Sequence, residues 1–411
     1  MEPIPVLKGR RILLGVTGGI AAYKAADLAS KLTQAGALVD VVLTEAAARF
    51  ITPLTFQALT GRPVYSDLWT PTAETALLHV ALAEAAELVV IAPATADFIA
   101  RQALGLANDL LSALCLATRA PVMIAPAMDV QMWAHPATQE NVERLRQRGV
   151  EVVGPAYGRM ASGLEGWGRM VEPEALLGHI RRALGRRGPL AGRRVVVTAG
   201  PTYEPIDPVR FIGNRSSGKQ GFALAQAALD RGADVVLIAG PVALATPVGA
   251  RRIDVGTAAE MAEAVWREAE EADVLLMAAA VADYRPAQPH PAKIKKGAPL
   301  TLDLIPTVDI LEGLAARRAA RGRPQVVVGF AAETEAVLEN ARAKLLAKGL
   351  DLIAANDVTE PGAGFAADTN RVTLIDVRGR AETLPLMSKA AVAEALLDRV
   401  VALLEEKAKA P

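Results

Sequence analysis

The chain has 411 residues, 52% of them hydrophobic and 22% charged, with 45 basic side chains against 45 acidic ones. That is the length of about two ordinary domains. The balanced charge argues against a general nucleic-acid binder or a membrane-surface protein, both of which show a basic excess. One cysteine, Cys115, leaves no internal disulfide and no cysteine-built zinc site, and fits a reducing cytoplasm.

Met1 to Arg11 has neither a long apolar core nor a small-residue cleavage site, so it does not read as a signal peptide. An apolar strand follows at Ile12–Val16, then Thr17-Gly18-Gly19, then a helical pattern over Ile20–Gln34. Further buried-strand runs are Leu38–Leu43, Leu88–Ala92, Val122–Ala125 and Val150–Val153, with helical segments between them. This alternation predicts a parallel sheet covered on both faces. Gly185–Gly192 is a Gly/Pro/Arg linker, and the pattern then restarts. Strands are expected at Arg194–Ala199, Val235–Ala239, Val274–Ala280, Gln325–Phe330, Leu352–Ala355 and Val372–Val377. A helix is expected from about Lys219 to Ala228, and a last one over Ser388–Glu406, capped by Ser388. The expected fold class is α/β, with two doubly wound Rossmann-like domains in series, residues 1–184 and 193–411, joined by the linker 185–192. The longest apolar runs, such as Val274–Ala282, are too short to span a bilayer. The six arginines from Arg181 to Arg194 lack interleaved aromatics and read as a solvated linker rather than a nucleic-acid arm.

Ligands of open α/β sheets sit beyond the carboxyl ends of the strands. Four loops there are informative in the first half. Thr17-Gly18-Gly19 opens a helix, where free backbone N–H groups suit a phosphate; it is not a full GxGxxG. Thr44 follows the second strand and alone could be a plain helix cap. Pro93-Ala94-Thr95-Ala96-Asp97 offers small and hydroxyl residues against which a flat ring and a phosphate can lie. Pro126–Trp133 brings a carboxylate, Asp129, and an aromatic to a strand end. His79 stands alone in an apolar stretch, a setting more often structural than catalytic. Read from residues only, this half is a mononucleotide-binding α/β domain.

In the second half, Gly213–Gln220 almost spells a P-loop, but Gln220 stands where a Ser or Thr must hold Mg2+, so a Walker-type ATPase is rejected. A Gly/Ser-rich loop entering a helix remains, with Arg210, Arg215 and Lys219 nearby, and suits an anionic substrate. Ala278–Tyr284 puts small residues and Asp283 at a strand end, admitting a planar base. Lys293-Ile294-Lys295-Lys296 could neutralise a triphosphate or be a solvated edge. Gly329–Thr334 is followed by Lys344 and Lys348 on one helix face.

The motifs of the first half, Gly15–Lys24, Ala92–Asp97, Ala107–Leu110, Pro126–Trp133 and Gly163–Met170, resemble in order the flavoprotein cysteine decarboxylases that make 4'-phosphopantetheine. The resemblance implies FMN, held by Thr17, Gly18, Gly19, Thr44, Pro93, Ala94, Thr95 and Asp97. It implies His79 as the catalytic base, with hydride passing from the substrate's cysteine side chain to the flavin and back as CO2 leaves. Two residues depart from that family's pattern. Asp129 replaces an Asn, and if it faces the substrate carboxylate it must be protonated or repel it. Ser162 replaces a Cys thought to donate the final proton, and is a weaker acid.

The second half resembles the bacterial phosphopantothenate–cysteine ligase, through Ala199–Arg210, Asn214–Gly221, Ala278–Tyr284, Lys293–Lys296, Gly329–Thr334 and Ala355-Asn356-Asp357. The resemblance implies that CTP activates 4'-phosphopantothenate as an acyl-cytidylate, from which cysteine displaces CMP, with Mg2+ present. Asn214 would bind the acyl-cytidylate, Lys293 assist the second half-reaction, and Arg210 bind the pantothenate side. Asp283, Phe330, Lys344 and Lys348 would hold CTP, beside Met277, Ala278, Ala279 and the segment Ile305, Pro306, Thr307, Val308. That segment departs from the family's Lys-Asn-Pro, which puts local nucleotide contacts in question. No metal ligand can be assigned. Together the halves imply a bifunctional enzyme of coenzyme A biosynthesis, acting in the cytoplasm on small molecules, with no nucleic-acid or membrane partner. A homo-oligomer is implied, a dodecamer of trimers and dimers. The alternatives are a nucleotide-dependent dehydrogenase, which would want an acidic residue where Thr44 stands, and a non-catalytic flavin-binding regulatory subunit, which would not need His79 or the ligase half.

Overall fold

Residues Ile12–Val16 are all buried, and they alternate between two cores: Ile12, Leu14 and Val16 enter one, Leu13 the other. A strand apolar at every position belongs inside a sheet covered on both faces. The computed structural model describes residues 2–69, 77–297, 299–333, 335–357, 359–360, 362, 364 and 367–409. Thr334, at the end of the Gly329–Thr334 motif, lies outside them. The chain divides into two units, Met1–Gly185 and Arg186–Pro411.

The first unit runs β1 (Arg11–Val16), α1 (Ala22–Gln34), β2 (Leu38–Leu43), α2 (Pro53–Thr60), β3 (Val64–Tyr65), α3 (Leu78–Ala85), β4 (Leu88–Ala94), α4 (Ala96–Leu104), α5 (Leu110–Ala117), β5 (Val122–Pro126), α6 (Val130–Ala134), α7 (Pro136–Gln147), β6 (Glu151–Val152), β7 (Ala156–Arg159), β8 (Glu165–Arg169) and α8 (Pro173–Gly185). Among the described residues its main sheet is parallel, in the order β3-β2-β1-β4-β5-β6. Residues of α1, α2 and α8 bury one face of the sheet, and those of α3, α4, α5 and α7 the other. The strand order reverses between β1 and β4, which opens a crevice at their carboxyl ends.

The second unit repeats the plan with β9 (Arg194–Ala199), β10 (Tyr203–Pro205), β11 (Phe211–Gly213), α9 (Lys219–Asp230), β12 (Asp234–Ala239), β13 (Arg251–Asp254), α10 (Ala258–Ala269), β14 (Val274–Met277), β15 (Tyr284–Pro286), β16 (Leu304–Pro306), α11 (Ile310–Arg321), β17 (Val326–Glu333), α12 (Val337–Ala347), β18 (Leu352–Asp357), β19 (Thr369–Asn370), β20 (Thr373–Asp376), β21 (Ala381–Thr383), β22 (Met387–Ser388) and α13 (Lys389–Lys409). The main sheet, in the order β13-β12-β9-β14-β17-β18-β20-β21, reverses between β9 and β14. Helices α9 and α13 cover one face, and α10, α11 and α12 the other. The expected helix cap is present, with the Ser388 hydroxyl accepting from the Ala391 N–H at 3.1 Å.

The second sheet adds a feature to the expected plan, and one expected strand ends early. The second sheet is mixed, because β20 pairs antiparallel with β18 and with β21. The β20–β21 hairpin turns through Gly379 (φ +79°), with Asp376 accepting from the N–H groups of Arg378 and Arg380. The apolar run Val274–Ala280 leaves the ladder after Met277. Beyond it Ala280 donates to Gly200 O at 2.9 Å, so the small residues line a loop instead of extending the strand.

At Gly221 a Cβ would stand 2.5 Å from the Ala199 Cβ and 2.8 Å from Thr198 O, so α9 lies directly on β9. Gly221→Val is therefore expected to destabilise the second unit by about 1–3 kcal/mol through overpacking. Hydrogen exchange checks this: amides of β9 and α9 should exchange faster in the variant, whereas unchanged protection there would show that the contact relaxes freely.

Candidate active sites

At the crevice of the first unit, Thr17 is 2% exposed. Its hydroxyl donates to Pro93 O at 2.8 Å and accepts from the Thr95 N–H at 3.0 Å. The side chain is thus committed to joining the ends of β1 and β4 and shapes the crevice from behind. Beside it, α1 starts at Ala21 without a side-chain cap and without an acidic residue in its first turn. The N–H groups of Gly18, Gly19, Ile20 and Ala21 donate to no partner among the described residues. Gly18 must be glycine, because its Cβ would meet the Ala46 Cβ at 2.4 Å, while Gly19 faces open space. A cradle of uncommitted N–H donors at a helix start fits the phosphate of a mononucleotide.

Thr44 supports this loop from β2, its N–H donating to Val16 O at 3.1 Å and its hydroxyl accepting from Ala47 at 3.2 Å. Ala94 is buried and accepts from the Ala127 N–H at 3.0 Å, while the Thr95 hydroxyl caps α4 at Phe98. Asp97 is exposed and pairs with Arg101 at 3.0 Å. His79 is the second residue of α3 and half-buried. That helix leads into the amino end of β4, so its start lies at the carboxyl edge of the sheet, on the side of these loops.

Asp129 caps α6, one oxygen accepting from the Gln131 N–H at 3.1 Å. The other accepts from the Ser162 hydroxyl at 2.6 Å. The two departures from the family pattern therefore touch. The β7–β8 hairpin brings them together. Met128 N donates to Gly168 O at 2.9 Å, and a Cβ on Gly168 would fall 2.4 Å from Met128 O, so the hairpin lies directly on the Asp129 loop. The Ser162 contact, then the Gln131 N–H, hold the Asp129 carboxyl below its ordinary value. Asp129 is the ionised acceptor of the pair, not a protonated one. Cys115, on α5, cannot stand in for the missing thiol acid, since burial, with Asp109 adding to it, pushes it up to about 12.

In the second unit a cavity of about 730 Å³ opens at the carboxyl ends of β14 and β17. Of the expected substrate residues, Asn214, Met277, Ala278, Ala279, Asp283, Pro306, Thr307, Val308, Phe330, Lys344 and Lys348 line it, whereas Arg210, Lys293 and Ile305 do not. Asn214 donates both amide hydrogens, to Ala280 O at 3.0 Å and Val281 O at 3.1 Å, which leaves its carbonyl oxygen for a ligand. Lys344 reaches Phe330 O at 3.5 Å, and Lys348 pairs with Asp309, the cap of α11. Arg210 and the Lys293 segment are held together instead by Asp207, which is 3% exposed. Its carboxylate accepts from the N–H groups of Val209, Arg210 and Ile294, and Arg210 donates to Ile294 O at 2.9 Å. Burial pushes Asp207 up, but these hydrogen bonds outweigh it and hold the carboxyl below its ordinary value.

Several residues here escaped the sequence reading. Asp207 sits in Pro-Ile-Asp-Pro, a turn signal that could have flagged it. The hydroxyls of Thr198 and Thr202 accept from the N–H groups of Ala279 and Ala282, at 3.1 and 2.9 Å. Asn370 and Lys389 also line the cavity, beside Lys219 and Gln220 of the Gly/Ser-rich loop that the sequence did single out. Among the described residues no group of three or more His, Cys, Asp or Glu side chains is placed to hold a metal ion. None of the described helices is long and apolar enough to cross a membrane.

This layout defines a two-centre α/β enzyme built on nucleotide-binding sheets. The Flavoprotein family matches residues 5–185, and the DNA/pantothenate metabolism flavoprotein C-terminal domain family matches residues 190–404. The coenzyme A biosynthesis bifunctional protein CoaBC of Vibrio cholerae is 51% identical over 394 residues, covering 95% of this chain and 98% of that one. Its counterparts in Escherichia coli K12 and Bacillus subtilis are 48% and 47% identical, over 98% and 97% of this chain and 99% and 98% of their own. The chain belongs to the CoaBC family and is a bifunctional phosphopantothenoylcysteine decarboxylase and phosphopantothenate–cysteine ligase of coenzyme A biosynthesis.

Ser162→Ala should let the Asp129 carboxyl rise toward its ordinary 3.8, because its largest stabilising contact is gone. Carboxyl-carbon NMR titration reads this directly, and an unmoved titration would mean that the hydrogen bond is not kept in solution. Asp207→Asn should lower ligase kcat/KM about 10- to 100-fold by releasing Arg210 and Lys293, with circular dichroism unchanged. Because Asp207 is depressed, its stabilisation is complete above the unfolded value near 3.8 and is lost as pH falls through the folded one. The variant should lack that acid-labile component.

Proposed function

We propose that the second unit acts first. In its cavity the carboxylate of 4'-phosphopantothenate attacks the α-phosphorus of CTP, an acyl-cytidylate forms and pyrophosphate leaves. The cysteine amine then attacks the acyl carbon, the bond to CMP breaks, and the amine loses a proton. Asn214 carries this reading: with both amide hydrogens fixed to the Ala280 and Val281 carbonyls, its oxygen is held rigidly at the cavity wall. Lys344 and Lys348 take the nucleotide, with Asp283 and the small residues Ala278 and Ala279 beside it. Lys293 and Arg210, positioned by Asp207, close over the substrate from the neighbouring loop. Mg2+ bound with the triphosphate would offset its charge; among the described residues two carboxylates, Asp283 and Asp309, stand on the cavity wall, and Asp309 is already paired with Lys348.

The product then reaches the first unit. There FMN supplies reversible hydride acceptance, and the N–H groups of Gly18 to Ala21 hold its phosphate. Thr44, Pro93, Ala94, Thr95 and Asp97 shape the loops around it. His79 acts as the base. Ionised Asp129 accepts from Ser162 and orients that hydroxyl at the carboxyl edge, so the final proton reaches the product through a group other than a thiol. The enzyme works in the cytoplasm as a homo-oligomer, a dodecamer of trimers and dimers.

Purified enzyme should be yellow and should convert phosphopantothenate, cysteine and CTP into 4'-phosphopantetheine, CO2, CMP and pyrophosphate. His79→Asn should abolish CO2 release, to below about 1% of the parent, and leave ligation intact; Lys293→Gln should do the reverse. Normal ligase turnover in Lys293→Gln, or CO2 release by His79→Asn, would reject the assigned role.

A further inference from the structure

Lys348, on which the nucleotide reading leans, has two places to go. It stands just past the last turn of α12 and lines the cavity of about 730 Å³ at the strand ends. It also lines a second cavity of about 640 Å³, bounded by α11, the residues after α12 and the end of α13, and Leu311 lines both. A lysine side chain is flexible enough to serve either. The second cavity repels it. Arg193, Arg318 and Lys407 already line that space. The carboxylate that Arg318 and Lys407 meet, Asp351, has both oxygens taken, one by Lys407 at 2.6 Å, the other by Arg318 and by the Val327 N–H at 2.7 Å. A further cation meets like charge there.

On the active side the acceptor is Asp309, and its own place is fixed. Thr307 donates its hydroxyl to Ala282 O at 2.6 Å and its N–H to Asp283 O at 2.9 Å, which ties the segment to the loop after β14. Ile310 is 4% exposed, and its carbonyl accepts from the Trp266 indole N–H at 3.0 Å. One Asp309 oxygen accepts from the Glu312 N–H at 2.9 Å and caps α11; the other accepts from the Lys348 ammonium. Burial pushes the Asp309 carboxyl up, but Lys348 and then that N–H outweigh it and hold it below its ordinary value, so the pair is ionised at neutral pH. An ion pair this exposed adds little to folding. What it fixes is where the ammonium stands.

An ammonium carries three N–H donors, and a carboxylate that takes one leaves the others for a ligand. We propose that Asp309 is the positioning residue of the nucleotide subsite, holding Lys348 on the active side of α11 so that its ammonium meets the phosphates of CTP. The segment Ile305–Asp309 carries no cation of its own, so on this wall the charge for the phosphates comes from α12. The assignment rests on the CTP-dependent reading of the second unit.

The sign of one mutational effect separates this role from a plain electrostatic one. As a bare negative charge beside a polyanion, Asp309 repels CTP, and its removal lowers the KM for CTP. As a positioning residue it preorganises Lys348, and its removal raises that KM. Asp309→Asn keeps the helix cap, since asparagine caps as well as aspartate does. CMP release is followed in the full-length enzyme with saturating phosphopantothenate and cysteine. Asp309→Asn should raise the KM for CTP about 5- to 20-fold and change kcat by no more than about twofold. Lys348→Gln should give a rise at least as large, and adding Asp309→Asn to it should raise the KM no further. A lower or unchanged KM in Asp309→Asn would overturn the assignment. So would a further rise in the double variant, the outcome expected if the carboxylate acted on Mg2+ instead of on Lys348. An unchanged KM in Lys348→Gln would instead overturn the nucleotide reading of α12 on which the assignment rests.

Discussion

Both sheets depend on a buried threonine hydroxyl at the seam where strand order reverses. At that seam the loops leaving neighbouring strands turn to opposite faces, which strands backbone groups away from the ladder. Thr17 accepts from Thr95 N–H and donates to Pro93 O; Thr198 and Thr202 take the N–H groups of Ala279 and Ala282. All three are at most 2% exposed, where an unpaired donor would cost about 1–3 kcal/mol. The hydroxyls hold the crevice open without filling it. In the first unit this exposes the helix start of α1, and in the second it lets Ala278–Val281 leave the sheet and line the cavity.

Glycine does the complementary work of letting backbone approach backbone. Gly168 lets the β7–β8 hairpin lie on Met128, which carries Ser162 to Asp129. The pairing gives the two departures a common physical logic. A carboxylate placed against a thiol would raise the thiol and weaken it as an acid. Against a hydroxyl, which does not ionise in this range, the same carboxylate gains a short charge-assisted hydrogen bond. Asp and Ser are thus compatible with each other in a way that Asp and Cys would not be.

The long strands were legible because both faces are buried, so apolar residues run unbroken; Leu38–Leu43 and Arg194–Ala199 came out with their observed limits. The short hairpins were not. In Glu165–Arg169 the buried positions are the glycines Gly166 and Gly168, and Ala156–Arg159 is equally poor in apolar side chains, so no hydrophobic alternation separates this ribbon from a loop. Val274–Ala280 misled for the opposite reason, since alanines facing a ligand cavity look apolar enough to continue a strand. In the site, Lys344 and Lys348 were legible by helical spacing. Asn370 carried no local signal, because it reaches the cavity through a two-residue strand paired with Met387–Ser388. Lys389 did carry one, a cation at a helix start, where the dipole disfavours it.

That misplaced charge bears on how the ligase cavity is built. A doubly wound sheet offers ligands a single edge, and a reaction with three substrates must crowd them there. Placing cationic groups on helices from both faces, α12 on one side and the starts of α9 and α13 on the other, lets anionic ligands approach from opposite directions. The strand ends between them, Met277 to Ala279 and Gly329, carry mostly small side chains, so the ligands can meet over backbone. Like-charged ligands would repel if they shared one lysine cluster, and cations on two sides of the cavity would let each be neutralised apart from the other.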